Sequence, residues 1–192
     1  PHTEEHGDLP DLTTISSESA RRARVLVLSY PNNPTSAVAS SDFFQQAIAF
    51  CRSNEILLVH DFPYVDMVFG DYEAPSVLAL PGGMDIAVEL YTCSKSYHMG
   101  GFRIGWAAGN ADATAALNHV KGAIDFNQYV GIQRAAVAAL NLPRSETRRT
   151  ARVFEERRDA LVDALNSVGW KTRLPQASMY VWTRLPGDLH DS

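Results

Sequence analysis

The run Thr92-Cys93-Ser94-Lys95-Ser96-Tyr97-His98-Met99-Gly100-Gly101-Phe102-Arg103 sets a lysine between hydroxyls and a glycine pair, directly after an apolar stretch. A lysine acts as nucleophile or base when burial or nearby cations lower its pKa, and lysines that form imines with aldehydes are of that kind. An isolated lysine is ordinarily a solvated surface residue. The apolar approach to Lys95 and the Gly100-Gly101 pair weaken that reading. Thr92 and Ser94 add hydroxyls, and Arg103 adds a planar two-pronged donor suited to a phosphate. Together they fit a covalently held aldehyde cofactor that carries a phosphate. Asp61 ends a second apolar run, Ile56-Leu57-Leu58-Val59, where a lone carboxylate is poorly solvated and needs a cationic partner. Taken singly it reads more simply as a cap or loop residue. A protonated ring nitrogen of a pyridine-type cofactor would be such a partner. Asn32-Asn33-Pro34-Thr35 is by itself an ordinary turn, and its Asn33–Pro34 bond can be cis at a small penalty.

These groups need elements to hold them. Ala23 to Tyr30 is nearly continuously apolar and bounded by prolines and asparagines, which predicts a strand buried on both faces. Phe43, Phe44, Ala47, Ile48 and Cys51 recur at helical spacing behind Ser40 or Ser41, either of which can cap. Ile56 to Val59, Ala87 to Thr92 and Ile104 to Ala108 read as further strands. From Asp112 the pattern turns helical, with Ala115, Ala116 and Val120 as one apolar set. Ile132, Ala135, Ala136, Ala139 and Leu140 form a second set before Pro143. A longer helix is marked by Phe154, Leu161, Leu165 and Val168 and ends at Gly169, and Met179 to Trp182 is expected to be a strand. Strands alternating with helices imply a mostly parallel α/β sheet whose ligands gather beyond the carboxyl ends of the strands.

Composition bounds the function. The chain has 192 residues and a net charge of −5, from 17 Lys plus Arg against 22 Asp plus Glu. That balance disfavours nucleic acid and anionic lipid as partners. Cys51 and Cys93 have neither metal-ligand nor disulfide-framework spacing, so reduced thiols and a cytoplasmic setting are expected. No stretch has the apolar length of a membrane span. The chain starts at Pro1 and stops just after an expected strand, so it reads as an internal piece of a longer protein.

Asn33, Asp61, Tyr64, Lys95 and Arg103, each at or just after the end of an expected strand or in the loop that follows, give the chain its resemblance to the class I/II (fold-type I) aminotransferases. These hold pyridoxal 5'-phosphate (PLP) through a lysine. The resemblance runs from about Leu26 to Trp182. The texture of 94–106 and 59–68 is nearest the LL-diaminopimelate, alanine and aspartate aminotransferase-like group. It implies a three-layer α/β fold, a mostly parallel sheet with helices on both faces. Residues 1–140 would belong to the large PLP-binding domain, and 141–192 to a linking helix and the beginning of a small α+β C-terminal domain. It further implies that Asp61 meets the ring nitrogen, that Tyr64 and Asn33 bond the 3'-oxygen, and that Thr92, Ser94 and Arg103 hold the phosphate. Lys95 would carry the cofactor and then move the substrate proton. The expected activity is amino-group transfer between an amino acid and a 2-oxo acid, in a homodimer. A carbon–sulfur β-lyase and a non-enzymatic PLP-binding regulatory domain are the alternatives that share these residues. Ser36 departs from the glycine often found after the family's Asn-Pro-Thr. The family's upstream anion loop and downstream substrate-carboxylate arginine cannot be assigned in these residues.

Other features read more simply. His2-Thr3-Glu4-Glu5-His6 imitates a zinc-protease string without its spacing. His98 is expected to be structural or solvent-facing. Arg148, Arg149, Arg152, Arg157 and Arg158, interleaved with acids, predict a salt-bridged solvent face. Asp125 to Tyr129 interrupts two helices with polar and aromatic groups and would face the active site or a partner.

Overall fold

The apolar runs pair into one mixed sheet. The computed structural model describes residues 7–187, so the His2 to His6 string lies outside the described residues. Strands β1 (Val25–Ser29), β2 (Leu57–Asp61), β3 (Ala87–Thr92) and β4 (Gly105–Gly109) lie in the order β1-β2-β3-β4. The first three are parallel and β4 runs antiparallel to β3. Ser29 is in register with Asp61, and Asp61 with Leu90, so three carboxyl ends reach the same edge of the sheet. Gly105 lets β4 close on β3, since a Cβ there would stand 2.4 Å from the Tyr91 carbonyl oxygen.

Between β1 and β2, helix α2 (Ser41–Ser53) starts at Ser40, whose hydroxyl accepts the Phe43 N–H at 3.2 Å. All five apolar positions of its expected stripe are buried. They pack with Leu28, Ile56, Leu58, Val77 and Ala87 as the main core. Ser40→Ala removes the cap and should cost about 1 kcal/mol in a denaturant melt, without altering the fold.

An acid–imidazole pair lies inside this core. His60 and Glu89 are fully buried neighbours in the β2–β3 register, with Nδ1 3.0 Å from Oε1. His60 Nε2 donates to the Tyr30 carbonyl at 2.9 Å, and the ring stacks on Phe62 at 4.3 Å between centroids. Glu89 also accepts from Ser76 Oγ, the Val77 N–H and the Tyr91 hydroxyl. Burial alone would raise its pKa. The hydrogen bonds from His60, Tyr91 and Ser76 and the His60 charge outweigh burial and bring it below the ordinary value.

Beyond α1 (Ser17–Arg22) and the short α3 (Gly83–Ile86), the remaining helices are α4 (Ala111–Ile124), α5 (Val130–Leu140) and α6 (Arg144–Ser167). Val168, Gly169 and Trp170 close α6 as expected: Gly169 has φ +84°, and the Trp170 N–H reaches the Leu165 carbonyl.

Several expectations need correction. β1 is the outer strand of the described sheet, and Val27 is 62% exposed, so this strand is not buried on both faces. The apolar set of α4 is not buried at all. α6 buries Thr147, Thr150, Ala151 and Val162, while Leu161 and Val168 are exposed; its inward stripe is offset from the one the large apolar residues suggested. Met179 to Trp182 finds no ladder partner among the described residues, and pairing there is limited to the Val68–Ala177 bridge. Arg158 keeps the expected ion pairs, with Glu155 and Asp159, but leaves the solvent face, lying 4.5 Å from the Phe69 ring centroid and donating to the Pro175 carbonyl at 2.6 Å. Arg149 keeps the expected surface ion pair, with Glu146. Phe126 and Tyr129 are exposed in the break between α4 and α5.

Candidate active site

Two groups of side chains meet the carboxyl edge of the sheet. The first is built by the ends of β1 and β2. Asp61, the last residue of β2, is partly buried and its Oδ2 accepts from Ser29 Oγ at 3.4 Å. Phe62 continues the pairing by donating its N–H to the Leu90 carbonyl at 2.9 Å, which fixes the direction in which Pro63 and Tyr64 leave the strand. Tyr64 is buried and hydrogen-bonds the exposed Asn33 side chain. Asn33 lies in the loop after β1, where both Tyr30–Pro31 and Asn33–Pro34 are cis. Asn32 clamps that loop, donating from Nδ2 to the Ser29 carbonyl and accepting from Thr35. Burial raises the Tyr64 pKa far above that of a free phenol, Tyr180 and Asp61 add to the rise, and the Asn33 hydrogen bond opposes it. Tyr64 therefore stands at neutral pH as a protonated phenol able to donate.

The second group is the connection from β3 to β4. Thr92 Oγ1 donates to the Ile104 carbonyl at 3.1 Å, accepts the Ser94 N–H, and lies 2.9 Å from Ser94 Oγ. The Cys93 N–H reaches the Ile104 carbonyl and the Met99 N–H reaches the Cys93 carbonyl, so the loop folds back on itself. Lys95 is partly buried, and the His98 N–H donates to its carbonyl at 3.4 Å. Arg103 is exposed at φ +52°, with Nη1 donating to the Gly100 carbonyl. A side chain held in that left-handed region is a strain commonly met at functional loops. A Cβ at Gly101 would meet nothing within 4 Å, so the turn leaves space beside its backbone. Burial raises the Cys93 thiol, which marks it as packing rather than a nucleophile. His98 is exposed, and its Nε2 lies 3.2 Å from Thr150 Oγ1 of α6.

The structure thus brings Asn33, Asp61 and Tyr64 into one cluster and Thr92, Ser94, Lys95 and Arg103 into one hairpin connection. Adjacent parallel strands set both at the same edge. Two contributors escaped the sequence reading. Ser29 was visible only as one residue within the Ala23 to Tyr30 strand. Tyr180 lies 116 positions from Tyr64, yet their phenol oxygens are 2.8 Å apart. Among the described residues there is no group of three or more His, Cys, Asp or Glu that could hold a metal, and no helix long and apolar enough to cross a membrane.

Residues 2–191 match the family model for aminotransferase class I and II. The chain belongs to that family. It is 46% identical over 178 residues to LL-diaminopimelate aminotransferase 2 of Trichormus variabilis, covering 93% of this chain and 46% of that protein. It is 39% identical to the glutamate-pyruvate aminotransferase AlaC of Escherichia coli, covering 92% and 43%. Among solved structures it is similar to a probable N-succinyldiaminopimelate aminotransferase from Thermus thermophilus, with a TM-score of 0.89 at 46% identity, covering 95% of this chain and 49% of that one. Apo-BacF from Bacillus subtilis gives a TM-score of 0.94 at 34% identity, covering 99% and 48%. The chain spans about half the length of the relatives it matches.

Proposed function

We propose that this chain carries the cofactor-holding part of a PLP-dependent aminotransferase that moves an amino group between an amino acid and a 2-oxo acid. The observation that carries the reading is the shared edge: Asp61 ends β2 beside Leu90 of β3, and the loop bearing Lys95 begins just beyond. The donor set suits PLP chemically. The carboxylate would suit a ring cation, the two neighbouring donors a phenolic oxygen, the amine an aldehyde, and the two hydroxyls with the guanidinium a phosphate. When bound, PLP supplies an electron sink for the bond-breaking at the amino acid's α-carbon. Asp61 would keep the ring nitrogen protonated, Tyr64 and Asn33 would donate to the 3'-oxygen, and Thr92, Ser94 and Arg103 would hold the phosphate. Lys95 would hold the cofactor through its amine and, when free, would be the base that takes and returns the substrate's α-proton.

Residues 1–140 are assigned to the large domain and 141–192 to a linking helix and the start of the small one, a division supported by the break at residues 141–143 between α5 and α6. The exposed apolar side chains of Ile124, Tyr129 and Val130 support a second copy as partner, and two free buried cysteines suit the cytoplasm. The test is to give the full-length gene product LL-diaminopimelate, alanine, aspartate or a sulfur amino acid together with a 2-oxo acid. Stoichiometric appearance of a new amino acid and a new oxo acid is expected. Pyruvate with released thiol and no amino acid formed would reject the transfer reading.

A further inference from the structure

Ser36 and Ser178 are 142 residues apart, both buried, and both in the left-handed region, at φ +57° and +70°. Glycine adopts that conformation freely, whereas a side-chain-bearing residue is strained there. Their hydroxyl oxygens are 2.6 Å apart, and Ser36 Oγ donates to the Tyr180 carbonyl at 2.7 Å. Since the single Ser36 proton goes to that carbonyl, Ser178 must be the donor to Ser36. The Tyr180 N–H in turn points to Ser178 Oγ at 3.4 Å. The bonds run head to tail around a closed ring that clamps both polar groups of the Tyr180 backbone to the loop carrying Asn33. The Tyr180 phenol then stands 2.8 Å from that of Tyr64.

We propose that Tyr180 is a positioning residue of the site: the Ser36–Ser178 hydroxyl pair sets its place, and once the single Tyr64 proton is given to the cofactor's 3'-oxygen, the Tyr180 phenol is the one left to donate across their 2.8 Å contact, which strengthens Tyr64 as a donor. This rests on the PLP reading above. A hydroxyl that accepts one hydrogen bond becomes a better donor of the next. Besides Tyr180, the groups acting on Tyr64 are the Asp61 carboxyl group and Asn33, which donates a neutral hydrogen bond. The segment around Tyr180 is also held by the Val68–Ala177 bridge and the Ser178 N–H to Met67 carbonyl bond, so losing the Ser36 hydroxyl should move Tyr180 without releasing the segment.

The test uses the PLP-loaded full-length gene product and its Y180F, S36G and doubly substituted forms, reading the pH midpoint of the visible band of the lysine-bound cofactor. Weaker donation from Tyr64 leaves more negative charge on the 3'-oxygen to hold the nearby proton, so the midpoint should rise. The expected rise is about half a pH unit or more for Y180F, the scale of one hydrogen bond. S36G, which suits the left-handed backbone conformation and removes the side chain that carries the hydroxyl, should produce a smaller rise, and none in the Y180F background. A Y180F midpoint equal to the parent's, or S36G and Y180F shifts that simply add, would overturn the proposal. A parent that shows no such band defeats the PLP reading itself, which separates the two failures.

Discussion

Lys95→Ala is expected to remove the visible band of the lysine-bound cofactor and to lower the rate of amino-group transfer by about 10³-fold or more. A positioned acid–base group alone is worth about 10²- to 10⁴-fold, and this lysine is asked to be both attachment point and proton carrier. Its position in the folded-back connection between β3 and β4 depends on Thr92, Cys93 and Met99 rather than on the lysine's own side chain. The variant should therefore fold, and its circular dichroism and melting temperature should match the parent's. An alanine form that retains the band and the rate would remove Lys95 from the mechanism.

Glu89→Ala should act on stability instead. It would strip the acceptor from His60, Ser76, the Val77 N–H and Tyr91 at once, inside a core from which both Glu89 and His60 are closed to solvent. Breaking a buried ion pair by deleting one partner costs about 3–5 kcal/mol. The same pair gives a pH dependence whose sign follows from Glu89. Its folded pKa lies below the ordinary 4.5, so the folded state binds its proton less readily than the unfolded chain does. Its stabilisation is therefore complete above about pH 4.5 and is lost as the pH falls through the folded value. Denaturant melts from pH 7 down into the acid range should show this slope in the parent and lose that component in Glu89→Ala. An equal slope in both would take Glu89 out of the acid response.

Much of the fold was legible in the sequence. α2 and the four strands follow from runs of apolar residues whose period and flanking turns are local signals. Ser40, the Phe43 to Cys51 stripe and β3 fall where the sequence puts them. The candidate residues stood out because they lie at the ends of strands or in the loops that follow, and parallel strands in sequential order bring those ends together. What stayed hidden depended on distant parts of the chain. Val27 has the composition of an interior strand and lies on an outer one, because strand order is a tertiary property. Leu161 and Val168 are apolar yet exposed, while Thr147 and Thr150 turn inward, so size and hydrophobicity misjudged the buried side of α6. Arg158 looked like its surface neighbours, and only the arrival of Phe69 and Pro175 makes it an interior contact. Ser36 stood out as a missing glycine, but its partners, Ser178 and Tyr180, are more than 140 positions away.

Lys95 as the residue to which the cofactor is joined is the assignment on which the proposed chemistry turns. Reduction of the PLP-loaded full-length gene product with borohydride, followed by peptide mass mapping, tests it directly. The peptide containing Lys95 is expected to carry the reduced pyridoxyl phosphate group, and those containing Lys121 and Lys171 are expected not to. The group found on another lysine, or on none, would contradict the assignment.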